Sequence, residues 1–416
     1  MSRMNLLAGA ALTIALAGCM QTETLRASAD PVPDSTDEAA AAETETAEVS
    51  ERITEGNLVM ENIPDIPADV SERLRQYQNV RGHGFSDWAD DGILISTRFG
   101  ETSQVHHVKT PGGARKQVTF FDEPVGGGSI SPTDNSFVFG KDTGGDEFFQ
   151  GYLFNMDSGS VTQFTEAGTR NGGLVWSDDG QSVAWYRSTA GDPNWDIMIG
   201  DPTDPTSVRV AHEGEGALYP VDFSSDGSKL VVQQYISITK SKVFSLDVAS
   251  GEFTELNPGE DVAYSGAALL ANGDVLSVTD KDSEFSNLVR FDADTGEMTN
   301  YTADIEWGVA GWDLAHDEAT VVFTLNEGGL GTIKLLDLTT GTITDGPTLP
   351  VGIAGGVTFS PDGSQVGFTF YGATSPADAW SFDVETLALT RWTEAEVGGL
   401  NQDTLITPTL FTYPNN

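Results

Sequence analysis

Peptide hydrolysis needs an activated nucleophile, and two serines come near the right context. Ser129 lies in Gly127-Gly128-Ser129-Ile130-Ser131, and Ser182 in Gly180-Gln181-Ser182-Val183-Ala184. Each lacks the closing glycine of a Gly-x-Ser-x-Gly elbow. Both fall in expected strands, where no strand-to-helix turn lifts the hydroxyl, so both read as structural. The histidines are His83, His106, His107, His212 and His316. His106 and His107 are neighbours, so along a strand they point to opposite faces and cannot share a metal there. None belongs to a His-Glu-x-x-His motif, and Asp292-x-Asp294 lacks the full spacing of a calcium loop, so no cofactor or metal is expected. One acidic pair stands out, Asp146-Glu147. Two adjacent carboxylates can hold a peptide's α-amino group by charge-assisted hydrogen bonds, against a competing role in a turn or at a sheet edge.

A second kind of chemistry sits near the start. Arg3 precedes the apolar run 4–16, and Ala17-Gly18-Cys19 follows. The run is short for a membrane span and ends in small residues, as an export signal does. Leu16-Ala17-Gly18-Cys19 resembles a bacterial lipobox, which implies acylation of the Cys19 thiol at the mature N-terminus. Cys19 is the only cysteine, so no disulfide within the chain is possible. Met20 follows it rather than Asp, so resemblance to sorted lipoproteins implies an exported protein anchored at the outer membrane, facing periplasm or exterior. Contact with the membrane is expected through the lipid only.

Charge narrows the partners. Lys and Arg total 21 against 63 Asp and Glu, a formal net charge of −42. Such a surface repels phosphate, so nucleic acid is excluded. The acidity suits either attraction of cationic peptides or solubility in a salty habitat.

The elements that must position these residues come from a repeat. An apolar residue, a short polar pair and Asp-Gly or a substitute recur at Trp88-Ala89-Asp90-Asp91-Gly92, Trp176-Ser177-Asp178-Asp179-Gly180, Phe223-Ser224-Ser225-Asp226-Gly227 and Phe359-Ser360-Pro361-Asp362-Gly363. Weaker copies begin at Ile130, Leu269 and Leu314. The copies are about 45 residues apart, the length of a four-stranded propeller blade. A second motif, strand-Asp-turn-Gly-strand, keeps step with the first, as in Leu246-Asp247-Val248-Ala249-Ser250-Gly251 and Leu336-Asp337-Leu338-Thr339-Thr340-Gly341. Asp-Gly is expected to form two-residue hairpin turns. A lone four-stranded sheet cannot bury both faces, so the copies must stack around an axis. The fold class is therefore all-β, a seven-bladed β-propeller over 80–398. Its blades are expected at about 80–125, 126–169, 170–215, 216–261, 262–306, 307–351 and 352–398. Before it come a signal peptide (1–18), a disordered acidic tether (19–56) and a short helical lead-in (57–79).

Three stretches carry a family resemblance. They are Leu74-Arg75-Gln76-Tyr77-Gln78-Asn79-Val80-Arg81 with Leu94–Gly100 after it, Gly144-Gly145-Asp146-Glu147-Phe148-Phe149-Gln150-Gly151-Tyr152, and Ala373-Thr374-Ser375-Pro376-Ala377-Asp378 with Thr393–Leu400. On these the chain resembles the N-terminal propeller of bacterial prolyl oligopeptidase-family serine peptidases, the group that includes dipeptidyl and acylaminoacyl peptidases. The resemblance implies a substrate-gating propeller joined to an α/β-hydrolase domain that carries the Ser-Asp-His triad. Residues 399–416 are where the linker to that domain is expected, so the chain alone is not expected to turn over peptides. The implied partners are a peptide substrate and the hydrolase domain. The alternative is a stand-alone lipid-anchored TolB-like propeller that holds a peptide or envelope protein. A propeller enzyme working through a central metal is a distant third.

Overall fold

The structure is a computed structural model, and it describes residues 52–64, 66–257 and 260–414. The signal peptide, Cys19 and most of the tether lie outside the described residues.

Two units are present, divided at Gln78 and Asn79. In the first, Ile53–Glu55 and Leu58–Met60 form a hairpin, and Ala68–Gln78 forms the helix expected of the lead-in. The hairpin was not expected; it lies across the boundary drawn between tether and lead-in. Val70, Leu74 and Tyr77, spaced along one helix face, are all exposed.

In the second unit seven four-stranded antiparallel meanders span 84–117, 129–163, 170–212, 217–255, 264–300, 309–345 and 353–391. These are blades 1 to 7. Seven separate clusters of buried apolar side chains fill the seven junctions between blades. The junction of blades 5 and 6, for example, buries Leu276, Leu288, Trp312, Phe323 and Leu336. Each sheet thus covers both faces only through its neighbours, the physical reason for a ring.

The repeat motifs do specific work. Ser224 Oγ donates to Asp226 at 2.8 Å, the Gly227 amide closes back on the Ser224 carbonyl, and Gly227 has φ +69°. Ser177 with Asp179 and Ser360 with Asp362 repeat the hydroxyl–carboxylate bond. The connection runs from Phe223 to Lys229, so these turns are longer than the two-residue type expected, and only the glycine takes positive φ. Of the turns between first and second strands, only that of blade 1 is a two-residue connection, between Ala89 and Gly92. The aspartate is needed as an acceptor for the turn's own donors, not for a left-handed backbone.

A second repeat escaped sequence reasoning. Past the fourth strand, Thr119, Thr165, Thr302 and Thr393 accept the third-strand amides of Val105, Gly151, Leu288 and Ala379 at 2.9–3.0 Å, and Asn257 does the same for Val243. The link between blades is thereby fastened to the blade it leaves.

Tryptophans tie blades together unequally. Trp176 donates its indole N–H to the Ser129 carbonyl of blade 2 at 3.0 Å, whereas the buried Trp312 indole nitrogen has no partner. Trp176→Phe should therefore cost about 1 kcal/mol more than Trp312→Phe in urea unfolding, because only the first loses a hydrogen bond. Equal losses would contradict that assignment.

Candidate functional site

Asp146 and Glu147 lie on the loop between the second and third strands of blade 2. Asp146 Oδ1 accepts the Phe148 amide at 2.9 Å. Glu147 has φ +60°, and its carboxylate lies 3.7 Å from the Arg170 guanidinium, which also donates to the Glu147 carbonyl. Ser129 opens the first strand of blade 2, and Ser182 sits in the first turn of blade 3, donating its amide to Ser177 Oγ. Each serine leads into a strand and not a helix. His107 bonds the Asp91 carbonyl at 2.9 Å, and His212 stacks on Phe253. Among the described residues no group of three or more His, Cys, Asp or Glu is placed to hold a metal.

The concentration of charge is elsewhere, at the seam between blades 7 and 1. His83 Nδ1 is 3.0 Å from Asp378 Oδ1, and both side chains are completely buried. His83 Nε2 faces the Arg115 guanidinium, which can only donate, so the imidazole is neutral with its proton on Nδ1, given to Asp378. Arg115 is also held in two bonds by Glu396, one of them at 2.9 Å. Asp378 further accepts from Thr393 Oγ1 at 2.8 Å and from Arg391 at 2.5 Å. The chain of contacts Arg391–Asp378–His83–Arg115–Glu396 crosses the seam. Beside it lie His106, driven down in pKa chiefly by burial, and Phe99 edge-on to its ring. Sequence spacing gave no signal of this network, because its bonds join residues 295 and 281 positions apart. His83 is completely buried, with both ring nitrogens engaged.

The two faces of the ring differ in chemistry. In an antiparallel meander, the loops between second and third strands and the links between blades fall on one face. The chain also enters and leaves the ring there, through the strands Val80–Arg81 and Glu396–Val397, which pair with each other. Among the described residues of 84–391, every exposed large apolar side chain except Val161 and Val210 belongs to this entry face, Phe120, Phe149, Ile238, Phe285 and Trp307 among them. A shallow cleft of about 630 Å³ opens on it between Arg81, Glu394, Glu396, Gly398 and Gln402. The opposite face carries the Asp turns, and there Asp226, Asp292 and Asp362 are held below the ordinary carboxylate value by hydrogen bonds from their own turns.

Residues 120–395, from the link after blade 1 to the end of blade 7, match the family model of the prolyl oligopeptidase N-terminal β-propeller domain. The chain belongs to this family. Among solved structures it is similar to a prolyl endopeptidase from work on two such enzymes and their inter-domain dynamics, with a TM-score of 0.67 and 14% identity over 80% of this chain and 53% of that one. It is likewise similar to prolyl oligopeptidase B from Galerina marginata in its apo form, with a TM-score of 0.64 and 16% identity over 81% and 54%. The same fungal enzyme carrying a 35mer hydrolysis and macrocyclization substrate gives 0.64 and 16% over 80% and 53%. At such identities the likeness is one of fold. The chain spans about half the length of these structures. No curated protein sequence matches it.

Within this prolyl oligopeptidase-family propeller the seam has a readable acid response. The Arg115 hydrogen bond holds Glu396 down at about 2, against an ordinary 4.5. A lowered carboxylate stabilises the fold fully above its unfolded value, and that contribution is lost as pH falls through the folded one. The stability difference between the natural chain and Glu396→Gln should be flat above about pH 5 and vanish between about 4.5 and 2 in acid unfolding followed by tryptophan emission. A difference that persists to pH 2 would exclude the pair as its source.

Proposed function

We propose that this propeller is the non-catalytic, substrate-gating part of an exported prolyl oligopeptidase-family serine peptidase, with its entry face seated on the α/β-hydrolase domain. The observation that carries this is the segregation of exposed apolar side chains onto the face where the chain enters and leaves. Scattered apolar residues need no explanation, but a face that collects nearly all of them is a surface meant to be covered. The two segments flanking the ring agree. Val70, Leu74 and Tyr77 before it, and Ile406, Leu410 and Phe411 after it, are exposed. Each flanking segment thus offers apolar surface of its own to a neighbouring domain. In this arrangement peptides reach the triad only past the ring, which restricts them by size, and Asp146 and Glu147, on an entry-face loop, are positioned to meet a peptide amine. Export and anchoring through the acylated Cys19 place the activity in the envelope.

The test has two parts. Purified chain alone should give no turnover of short chromogenic peptides; turnover would place catalysis within the propeller. A hydrolase segment bearing Gly-x-Ser-x-Gly, encoded next to this sequence and co-expressed with it, should co-purify. Phe285→Glu with Trp307→Glu should abolish that association, while Val161→Glu on the opposite side should not. Equal binding by both variants would refute the docking face. Loss of palmitate incorporation in Cys19→Ser tests the anchor separately.

A further inference from the structure

Residues that stand directly opposite on an antiparallel pair share one face of it, with Cβ atoms about 5 Å apart. Arg81 and Glu396 are such a pair on the entry and exit strands, so a cross-strand ion pair is the expected outcome. It does not form. Both oxygens of Glu396 accept from Arg115 instead, one of them at 2.9 Å. Arg81 is left half-buried, and its guanidinium has no hydrogen bond or ion pair among the described residues. The ring arginines between 98 and 391 all have one, as 63 carboxylates against 21 Lys and Arg would lead one to expect.

Glu394 is uncommitted in the same way, and it lines the same cleft as Arg81. Opposite charges that border one cleft without closing on each other stay open to a ligand that carries both signs. The cleft measures about 630 Å³, room for the end of a short peptide. A guanidinium takes a carboxylate in two parallel bonds. Glu394 and Glu396 beside it repel a dianion such as phosphate more than a singly charged carboxylate. Glu394 in turn suits an ammonium or guanidinium group. The net charge of −42 draws cationic peptides toward the surface from a distance.

We propose that this cleft holds the carboxyl end of a short basic peptide, with the terminal carboxylate on Arg81 and a lysine or arginine side chain against Glu394. The assignment takes from the gating reading only that peptides reach the entry face. Its test needs no hydrolase domain, so either reading can fail alone.

Isothermal titration of the full chain at low salt tests it, with acetyl-Ala-Ala-Lys as the free acid and as its C-terminal amide. The acid should bind at least about tenfold more tightly than the amide. Arg81→Gln should abolish that difference, and Arg81→Lys should keep part of it. Glu394→Gln should lower binding of the acid to that of acetyl-Ala-Ala-Ala while leaving the preference for acid over amide in place. Neither side chain has a partner within the described chain, so these variants should keep the urea midpoint of the natural protein, which separates lost binding from lost fold. Equal binding of acid and amide by the natural chain, no binding of either up to about 10 mM, or a preference that survives Arg81→Gln would each overturn the assignment. Inorganic phosphate that competes as well as the acid peptide would also overturn it, by making the cleft a general anion site.

Discussion

Asp378→Ala is expected to cost about 3–5 kcal/mol in urea unfolding, the largest loss of any single substitution outside the apolar core. The reason is the number of donors that converge on a carboxylate with no exposure at all. His83 Nδ1, Thr393 Oγ1 and Arg391 all give it hydrogen bonds. Alanine removes the acceptor and leaves three donors behind, two of them buried, each carrying its own desolvation cost of about 1–3 kcal/mol. The same change frees Thr393, whose hydroxyl accepts the Ala379 amide and fixes the end of blade 7. Asp378→Asn separates charge from acceptor count. It keeps one oxygen, but its amide nitrogen must face at least one of the three donors, so it should fall between the natural chain and alanine. A loss below about 1 kcal/mol for alanine would mean that the network is ornamental and that apolar packing alone closes the ring.

Salt should act in the opposite direction to that expected of a protein held by ion pairs. Raising sodium chloride from about 0.05 to 1 M is expected to lift the thermal midpoint by on the order of 10 °C. With 63 carboxylates against 21 Lys and Arg, repulsion among like charges is the dominant long-range term. On the face bearing the Asp turns, Asp226, Asp292 and Asp362 stay ionised because their own turns donate to them. Screening relieves that repulsion over a Debye length that falls from about 14 Å to 3 Å across this range. The Arg115–Glu396 and Asp378–Arg391 pairs are partly buried and lose less. Differential scanning fluorimetry across a chloride series reads the sign directly. A flat or falling midpoint would show that the surface charges are already compensated.

The architecture was legible because it is written locally and seven times. Phe223-Ser224-Ser225-Asp226-Gly227 announces a turn from five adjacent residues, and the period converts turns into blades. What the motif did not convey was its geometry. The Ser224–Asp226 bond and the five-residue connection replace the tight hairpin that Asp-Gly suggests in isolation. The threonine tie at Thr119, Thr165, Thr302 and Thr393 is equally periodic, but a threonine among polar neighbours gives no contrast by which to notice it. The seam is a different case. Nothing near His83 in sequence names Asp378 as its partner, and only ring closure brings them together. The polarity of the two faces was likewise hidden, since Phe120, Phe285 and Trp307 look like core residues until the meander assigns each loop to a side.

The pairing of Val80 with Val397 has one more consequence. Two neighbouring positions on adjacent antiparallel strands bracket the whole ring, so from outside the propeller occupies the place of a hairpin turn. A host fold that accepts a short turn at that point also accepts this ring, because the distance it must bridge is the same. The ring can thus be regarded as an interchangeable insert, gained or lost in one step, and a host from which residues 82–395 were excised and replaced by a tight turn would keep both of its own strands in register.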